Sequence, residues 1–519
     1  MSQELDPNRA GSQPGWRALI WLWLLCSVLG LIAYKTGSVV VDSFQSLGAV
    51  AGAAGPGRLR WPLLGGFMGY DQTWGFHWFG WPFLRSLLLP LLPWRPATDF
   101  ALACLIWGVA AWLMARLAER LRQDGSGIWT GLLATSAPGF MASMQSYRPE
   151  ILTALVLVVV LVNWEGKGRS SVVWRAAGLV LLPMLHPLGS VVPGCWLAAT
   201  VLLDGRQSGW KAGIARNLPK GFSLGIGALL LVAWYGFQPT AWAQFQLNVR
   251  CQRLLVEGLG AGWLTFFRWG LGGLSSIFLL SLFVPASLWA LRSVMGGFSP
   301  ALSAGRRLEL LASIGVLVTL AFNIAAKNPN MLHLVAAMPL AAWLCQRFVQ
   351  SASVRFPIWV GRASLSSVLL FFWVYPLRQG WACLRHQGIG FRDELSGVVR
   401  GLPPAGRVFI PVALWEAVIT DPRLGTDYQF STFPNLLTQA ERADYERTLT
   451  KDAQTGDLVV WDALQDYGGI FNFVTATALK HQLLRPPDDP EHWERLDDRN
   501  LDVTYSRGQP STFEVYRRR

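Results

Sequence analysis

Charge is what this sequence is short of. Only 15% of its 519 residues are Asp, Glu, Lys or Arg, while 52% are hydrophobic and Trp and Phe each occur 27 times. Soluble proteins carry about a quarter charged residues, so a water-exposed fold is excluded and many buried spans are predicted. Cysteine is scarce too, six in all. Cys26, Cys104, Cys195 and Cys345 sit inside apolar runs, and no Cys-x-x-Cys or Cys/His spacing suited to zinc is found. Cys251 and Cys383 fall on one predicted side of the membrane, which leaves a disulfide between them open. Several signature motifs are missing as well. There is no GxxxxGKS or GxxxxGKT phosphate loop, no HExxH and no dinucleotide fingerprint, so ATP-driven transport and zinc proteolysis lack support. The net charge of +13 does not point to nucleic acid, because the basic residues are scattered between apolar runs and form no stripe.

What is present reads as an α-helical multipass membrane protein with a C-terminal soluble α/β-type extracytoplasmic domain. Residues 1–16 form a polar tail, and the apolar run Trp16–Tyr34 is long enough to span a bilayer. A large loop, 35–82, follows. Phe83–Trp94 is apolar but short and bracketed by Pro, and suits an interfacial or re-entrant piece. Further spans are expected near 98–115, 127–145, 149–164, 171–185, 188–203, 220–237, 265–291, 309–326, 331–348 and 357–376, about eleven in all. Lys and Arg collect in alternate connections, among them Arg116 to Arg122, Lys167 to Arg175, Arg206 to Lys220, Arg306 with Arg307, and Arg347 to Arg362. By the positive-inside rule these are cytoplasmic, which puts the N-terminus inside and the loop 35–82 and the C-terminus outside. The segment 238–262, with its interleaved apolar and basic residues, suits an interfacial helix. The transmembrane region is thus 17–376. Residues 377–519 are charge-dense, with strands predicted at Arg407–Val412, at Asp457–Trp461 and in the final FEVYRRR.

Ionisable groups near a membrane interior cost about 2.5–3.5 kcal/mol at a helix centre, so those that remain need a reason. On the external side they are Asp42, Asp71, His77, Arg148, Glu150, His186 and Lys327. Asp42, in VVVDSFQ, suits a general base, a metal ligand or an N-cap. Asp71, in GYDQTWGFHW, also suits an ordinary Asx turn, and the aromatic belt already explains His77. In SYRPE, Pro149 and Glu150 suit the first turn of a helix, but Arg148 at that positive end calls for an anion such as phosphate. Lys327, in AAKNPNMLH, either snorkels or meets the same anion. His186, in LHPLGS, lies in a tight break between two apolar runs, where a lone His more often satisfies a turn than catalyses.

These features together resemble the membrane-embedded glycosyltransferases of the C superfamily, the relatives of protein mannosyltransferases and aminoarabinose transferases. The matching residues are the acid Asp42 early in the first loop, HWFGWPFL from His77 to Leu84, the Arg148-Pro149-Glu150 turn, the HPLG turn at His186 and Lys327-x-Pro329 before a span. Asp42 is followed by Ser43 where many members carry a second acid, which argues against a paired-acid metal site. A divalent metal stays compatible with the family, and no cofactor is otherwise required. WWDYG is absent, and VVWDALQDYGG only echoes it, which disfavours en bloc oligosaccharide transfer to Asn.

The resemblance implies a polyprenyl-phosphate-linked sugar as donor and a lipid, glycan or protein as acceptor, in contact with membrane lipids and not with nucleic acid. Asp42 would take the acceptor proton, while Arg148 and Lys327 would neutralise the leaving phosphate in an inverting single displacement. Asp71, His77, Glu150 and His186 would complete the site. The implied setting is a bacterial inner membrane with the site facing the periplasm. A transporter or flippase of a lipid-linked glycan is the alternative; it should show two related halves, and no internal repeat is found.

Overall fold

Every apolar run expected to span carries a helix. In the computed structural model these are α1 (Trp16–Thr36), α2 (Pro96–Arg122), α3 (Gly127–Ser136), α4 (Glu150–Val162), α5 (Arg169–Leu185), α6 (Leu188–Ser208), α7 (Trp210–Phe237), α8 (Leu274–Gly296) and α9 (Ala304–Ala325). A 3-10 helix (Met331–Ala337) leads into α10 (Met338–Ser353), and α11 (Ile358–Arg385) follows. The structure describes residues 15–36, 59–60, 84–85, 87–88, 90–92, 95–122, 127–137, 140–141, 149–237, 274–296, 302–325, 331–353, 358–387, 389–411, 414–419, 426–430, 453–462, 486, 489–501 and 511–519. Among the described residues, five helical stretches are long and apolar enough to cross a membrane: Trp16–Lys35, Ala97–Leu121, Leu188–Ser208, Trp210–Trp234 and Ala304–Ile324. Helices are the natural form for such runs, because each satisfies its own backbone groups where no water can. Pro183, Pro193, Pro219, Pro285 and Pro376 lie within helices, as membrane helices tolerate.

The helices pack as a bundle in which neighbours in sequence are neighbours in space. α1 lies against α2, α2 against α3 and α4, α5 and α6 against α7, and α8 against α9 and α10. Four fully buried indoles, Trp107, Trp164, Trp196 and Trp343, fill much of the centre. Two of them find acceptors, as buried indole N–H groups should: Trp107 donates to the Ala134 carbonyl at 3.0 Å and Trp164 to the Thr200 hydroxyl at 3.0 Å. Close approach depends on small residues. A Cβ on Gly227 of α7 would run into the Val180 carbonyl of α5. Gly209, at φ 87° and ψ 148°, turns the chain from α6 into α7, a backbone conformation open to glycine because it has no Cβ.

One end of the bundle is held by buried charge. Asp204 of α6 pairs with Arg307 of α9 and accepts from the Asn217 amide of α7 at 2.8 Å. Arg307 also reaches Glu165 at 3.6 Å. Arg175 donates to the carbonyls of Asn163, Trp164 and Gly166 at 2.9–3.0 Å, and Lys220 lies 4.7 Å over the Trp164 ring. The basic residues that the sequence assigns to one membrane side thus work here as ties between helices.

The opposite end carries a six-stranded sheet in the order β1-β3-β2-β4-β6-β5. Its strands are β1 (Leu59–Arg60), β2 (Arg407–Ile410), β3 (Asp427–Phe430), β4 (Leu458–Asp462), β5 (Trp493–Leu501) and β6 (Ser511–Arg518), accompanied by α12 (Phe391–Arg400) and α13 (Trp415–Ile419). β1 to β4 pair in parallel, while β6 runs antiparallel to β4 and β5. Val408, Phe409, Ile410, Leu458, Val459, Val460, Phe513 and Val515 bury the sheet's interior. The strands predicted near 407–412 and 457–461 correspond to β2 and β4. β1 comes from the first loop of the chain, so that loop and the C-terminal region meet at one end.

Arg392 fastens the sheet region to the bundle. It donates to Glu416 at 2.7 Å and to the Tyr34 carbonyl at the end of α1 at 2.8 Å, and its guanidinium lies 4.9 Å over the Phe100 ring at the start of α2. Lys35 pairs with Asp393 at 2.7 Å alongside. Tyr34 and Phe100 meet edge to face at 5.2 Å.

Candidate functional site

The chain crosses the bundle and returns several times, so connections two apart share an end. α2 leaves the sheet-bearing end at Phe100; α3 starts far from it, where the Gly127 amide donates to Glu119 at 2.9 Å, and α4 sets out again from the sheet-bearing end. Pro149 caps α4 and Glu150 is its first residue, as their preference for a first turn predicts. His186 sits in the break between α5 and α6, in extended backbone that ends α5. The 3-10 helix packs against α4 and delivers His333.

These three side chains converge. The Nε2 of His186 lies 3.1 Å from the Nδ1 of His333, that Nδ1 lies 3.2 Å from Oε1 of Glu150, and Oε1 lies 3.6 Å from the His186 Nε2. The imidazole centroids are 5.1 Å apart at a tilt of 52°. Glu150 is fully buried, His186 is nearly so, and the His333 side chain keeps 17% of its surface exposed. The Leu188 amide donates to Nδ1 of His186 at 3.2 Å, so in the neutral ring the proton sits on Nε2 and faces the other two groups. Three polar atoms, one carboxylate and two imidazoles, can therefore hold and pass a proton, present N–H groups to an anionic oxygen, or each offer one ligand atom to a metal ion.

Of the residues expected from the sequence, Glu150 and His186 are thus brought together. His186 is not the isolated turn residue that its surroundings suggest. Asp42, Asp71, His77, Arg148 and Lys327 lie outside the described residues. His333 is the member that sequence reasoning missed. Its signal is a second histidine just before an apolar run, inside AAKNPNMLH and close to Lys327.

A second buried ion pair stands near this end. Arg85 and Asp99, both buried, pair at 2.5 Å, and Arg85 also donates to the Leu92 carbonyl at 2.8 Å. Arg85 belongs to the short apolar piece before α2, whose hydrophobicity concealed it. Cys383 is a free thiol.

The helical bundle, with polar groups converging at the end that carries the sheet, shares its fold with a solved structure. Two of the solved structures similar to it cover most of this chain. ArnT from Cupriavidus metallidurans, bound to undecaprenyl phosphate, superposes with a TM-score of 0.55 at 10% identity, over 97% of this chain and 98% of that one. The oligosaccharyltransferase of Archaeoglobus fulgidus in the apo form gives a TM-score of 0.49 at 13% identity, over 92% of this chain and 73% of that one. No family model matches the sequence, and no curated protein does.

Proposed function

We propose that this chain is a membrane glycosyltransferase that moves a sugar from a polyprenyl-phosphate donor to a lipid, glycan or protein acceptor on the extracytoplasmic face of a bacterial inner membrane. The observation that carries the reading is the likeness to ArnT along almost the whole of both chains, joined to a polar cluster where a lipid phosphate would lie. The ArnT structure holds undecaprenyl phosphate, and a lipid carrier of that class is the donor assigned here. Arg148 stands two residues before Glu150, and Lys327 six residues before His333. The two cations assigned to the leaving phosphate are therefore close in sequence to members of the cluster, on two separate chain segments.

In the reaction, Asp42 takes the proton of an acceptor hydroxyl as that oxygen attacks the anomeric carbon. The carbon–oxygen bond to the lipid phosphate breaks on the opposite face, with inversion. The leaving group is a stabilised anion, so charge neutralisation by Arg148 and Lys327 replaces a strong general acid. Glu150, His186 and His333 shape the wall of the site, with Asp71 and His77 of the first loop as further contributors. The basic loops lie in the cytoplasm, and the sheet region lies in the periplasm.

The test is transfer from radiolabelled polyprenyl-phosphate sugars by membranes with matched levels of wild type, Asp42→Asn and Arg148→Ala. The expected result is transfer by wild type, its loss in Asp42→Asn with donor binding retained, and weakened donor binding in Arg148→Ala. Absence of transfer from every donor, together with movement of a lipid-linked glycan across vesicles, would replace the enzyme by a transporter.

A further inference from the structure

We propose that Glu150, His186 and His333 bind a divalent transition-metal ion of the zinc class, with a fourth coordination position left for an oxygen ligand. The three ligand atoms form a triangle with edges of 3.1, 3.2 and 3.6 Å. A tetrahedral ion with bonds of about 2.0–2.1 Å spaces its ligands about 3.3 Å apart, which is the mean of these edges. An octahedral magnesium ion with bonds of about 2.05 Å would draw adjacent ligands to about 2.9 Å, closer than any edge here.

Ligand chemistry points the same way. Two imidazoles and one carboxylate suit zinc and its neighbours, whereas magnesium and calcium prefer oxygen alone. Two His and one Glu with an open position is also the composition of catalytic zinc sites, in contrast to the closed four-ligand structural ones. Placement is suitable as well. Each ligand comes from a separate segment, at the start of α4, between α5 and α6, and in the 3-10 helix, so an ion would tie three parts of one bundle end together. Glu150 supplies a fully buried carboxylate, and the partly exposed His333 marks the side from which an ion enters.

One contact must change. With an ion on Nε2 of His186, the ring proton moves to Nδ1, and the hydrogen bond from the Leu188 amide at 3.2 Å is given up. That exchanges one long hydrogen bond for a coordinate bond. The fourth ligand is then a phosphate oxygen of the lipid donor, a step that rests on the transferase reading, whereas ion binding does not.

The experiment uses the full chain in detergent, stripped with chelator, loaded with Zn2+ or Co2+ and desalted. Metal content and the visible spectrum of bound Co2+ are read for wild type, His186→Gln and His333→Gln. The expected result is about one ion per wild-type chain, the intense bands of four-coordinate Co2+, and at least ten-fold weaker retention in both variants. Wild type that keeps no metal overturns the site by itself, even if a variant fails to fold, and so does equal retention by folded variants. Undecaprenyl phosphate is then added to the Co2+ form, with inorganic phosphate as the second arm. A spectrum changed by the lipid phosphate at lower concentration supports the fourth position as donor-binding. A spectrum that neither changes overturns that position while the ion site stands, and transfer activity is scored separately.

Discussion

Replacing Arg392 by Ala should loosen the sheet region from the bundle by a calculable amount. The Arg392 side chain is 8% exposed, that of its partner Glu416 is 6% exposed, and the Nε to Oε2 distance is 2.7 Å. Breaking one side of such a buried pair costs about 3–5 kcal/mol, because the remaining carboxylate keeps its desolvation penalty. Loss of the bond to the Tyr34 carbonyl and of the guanidinium over Phe100 adds about 1 kcal/mol. At a few degrees per kcal/mol for a unit of this size, the sheet region should unfold on the order of 10 °C earlier. Arg392→Met combined with Glu416→Met removes both charges and should recover most of the loss. The assay is thermal unfolding of the full chain in detergent at one scan rate, with limited proteolysis around residues 386–390 reporting detachment from α1. Single and double variants whose losses simply add, or an Arg392→Ala chain within 2 °C of wild type, would refute the role given to this latch.

Other expectations follow from the same geometry. Arg60→Cys with Gln429→Cys should form a disulfide under mild oxidation, read as altered gel mobility, because the two are Cα partners in the parallel β1–β3 ladder and neighbouring strands lie about 4.8 Å apart. Cysteines at Leu59 and Gln429, out of register, should cross-link more slowly. Arg307→Ala should lower the thermal stability of the bundle by about 3 kcal/mol by leaving Asp204 with Asn217 but without its cation, and adding Asp204→Asn should restore part of it. Gly227→Ala should cost about 1–3 kcal/mol, since the new methyl meets the Val180 carbonyl, which is backbone and has no rotamer to yield. Gly225→Ala, with open space at its Cβ, is the control and should leave the melting temperature unchanged.

The helices were legible because a run of apolar residues in lipid has one economical form. Parity of the basic loops then told which connections share an end, and it put Glu150 and His186 at the same one. Which of the residues at that end touch does not follow, since it depends on how the helices are ordered around the bundle. His333 was missed on that account: its neighbours in sequence, Met331 and Leu332, read as the start of a span, and its partner Glu150 lies 183 residues away. Arg85 was hidden by averaging, because one arginine in a short apolar piece barely alters the hydropathy. Arg392 was hidden by the opposite circumstance, standing among so many charges that its burial left no trace in composition. The strands β2 and β4 could be read from β-branched runs between turn residues. β1 could not, since two residues carry no periodicity.

β1 bears on how the molecule comes to be made. Leu59 pairs with Tyr428, so the edge strand waits through the synthesis of 369 further residues before its neighbour exists. At about 5–20 residues per second this is roughly 20–70 s. Throughout that interval the loop that carries Asp42 lacks the strand against which its own segment is to dock. Final assembly of the end that holds the polar cluster is therefore a late event, set by the C-terminus. A ribosome that stops short of β3 leaves a bundle whose first loop has no sheet to join.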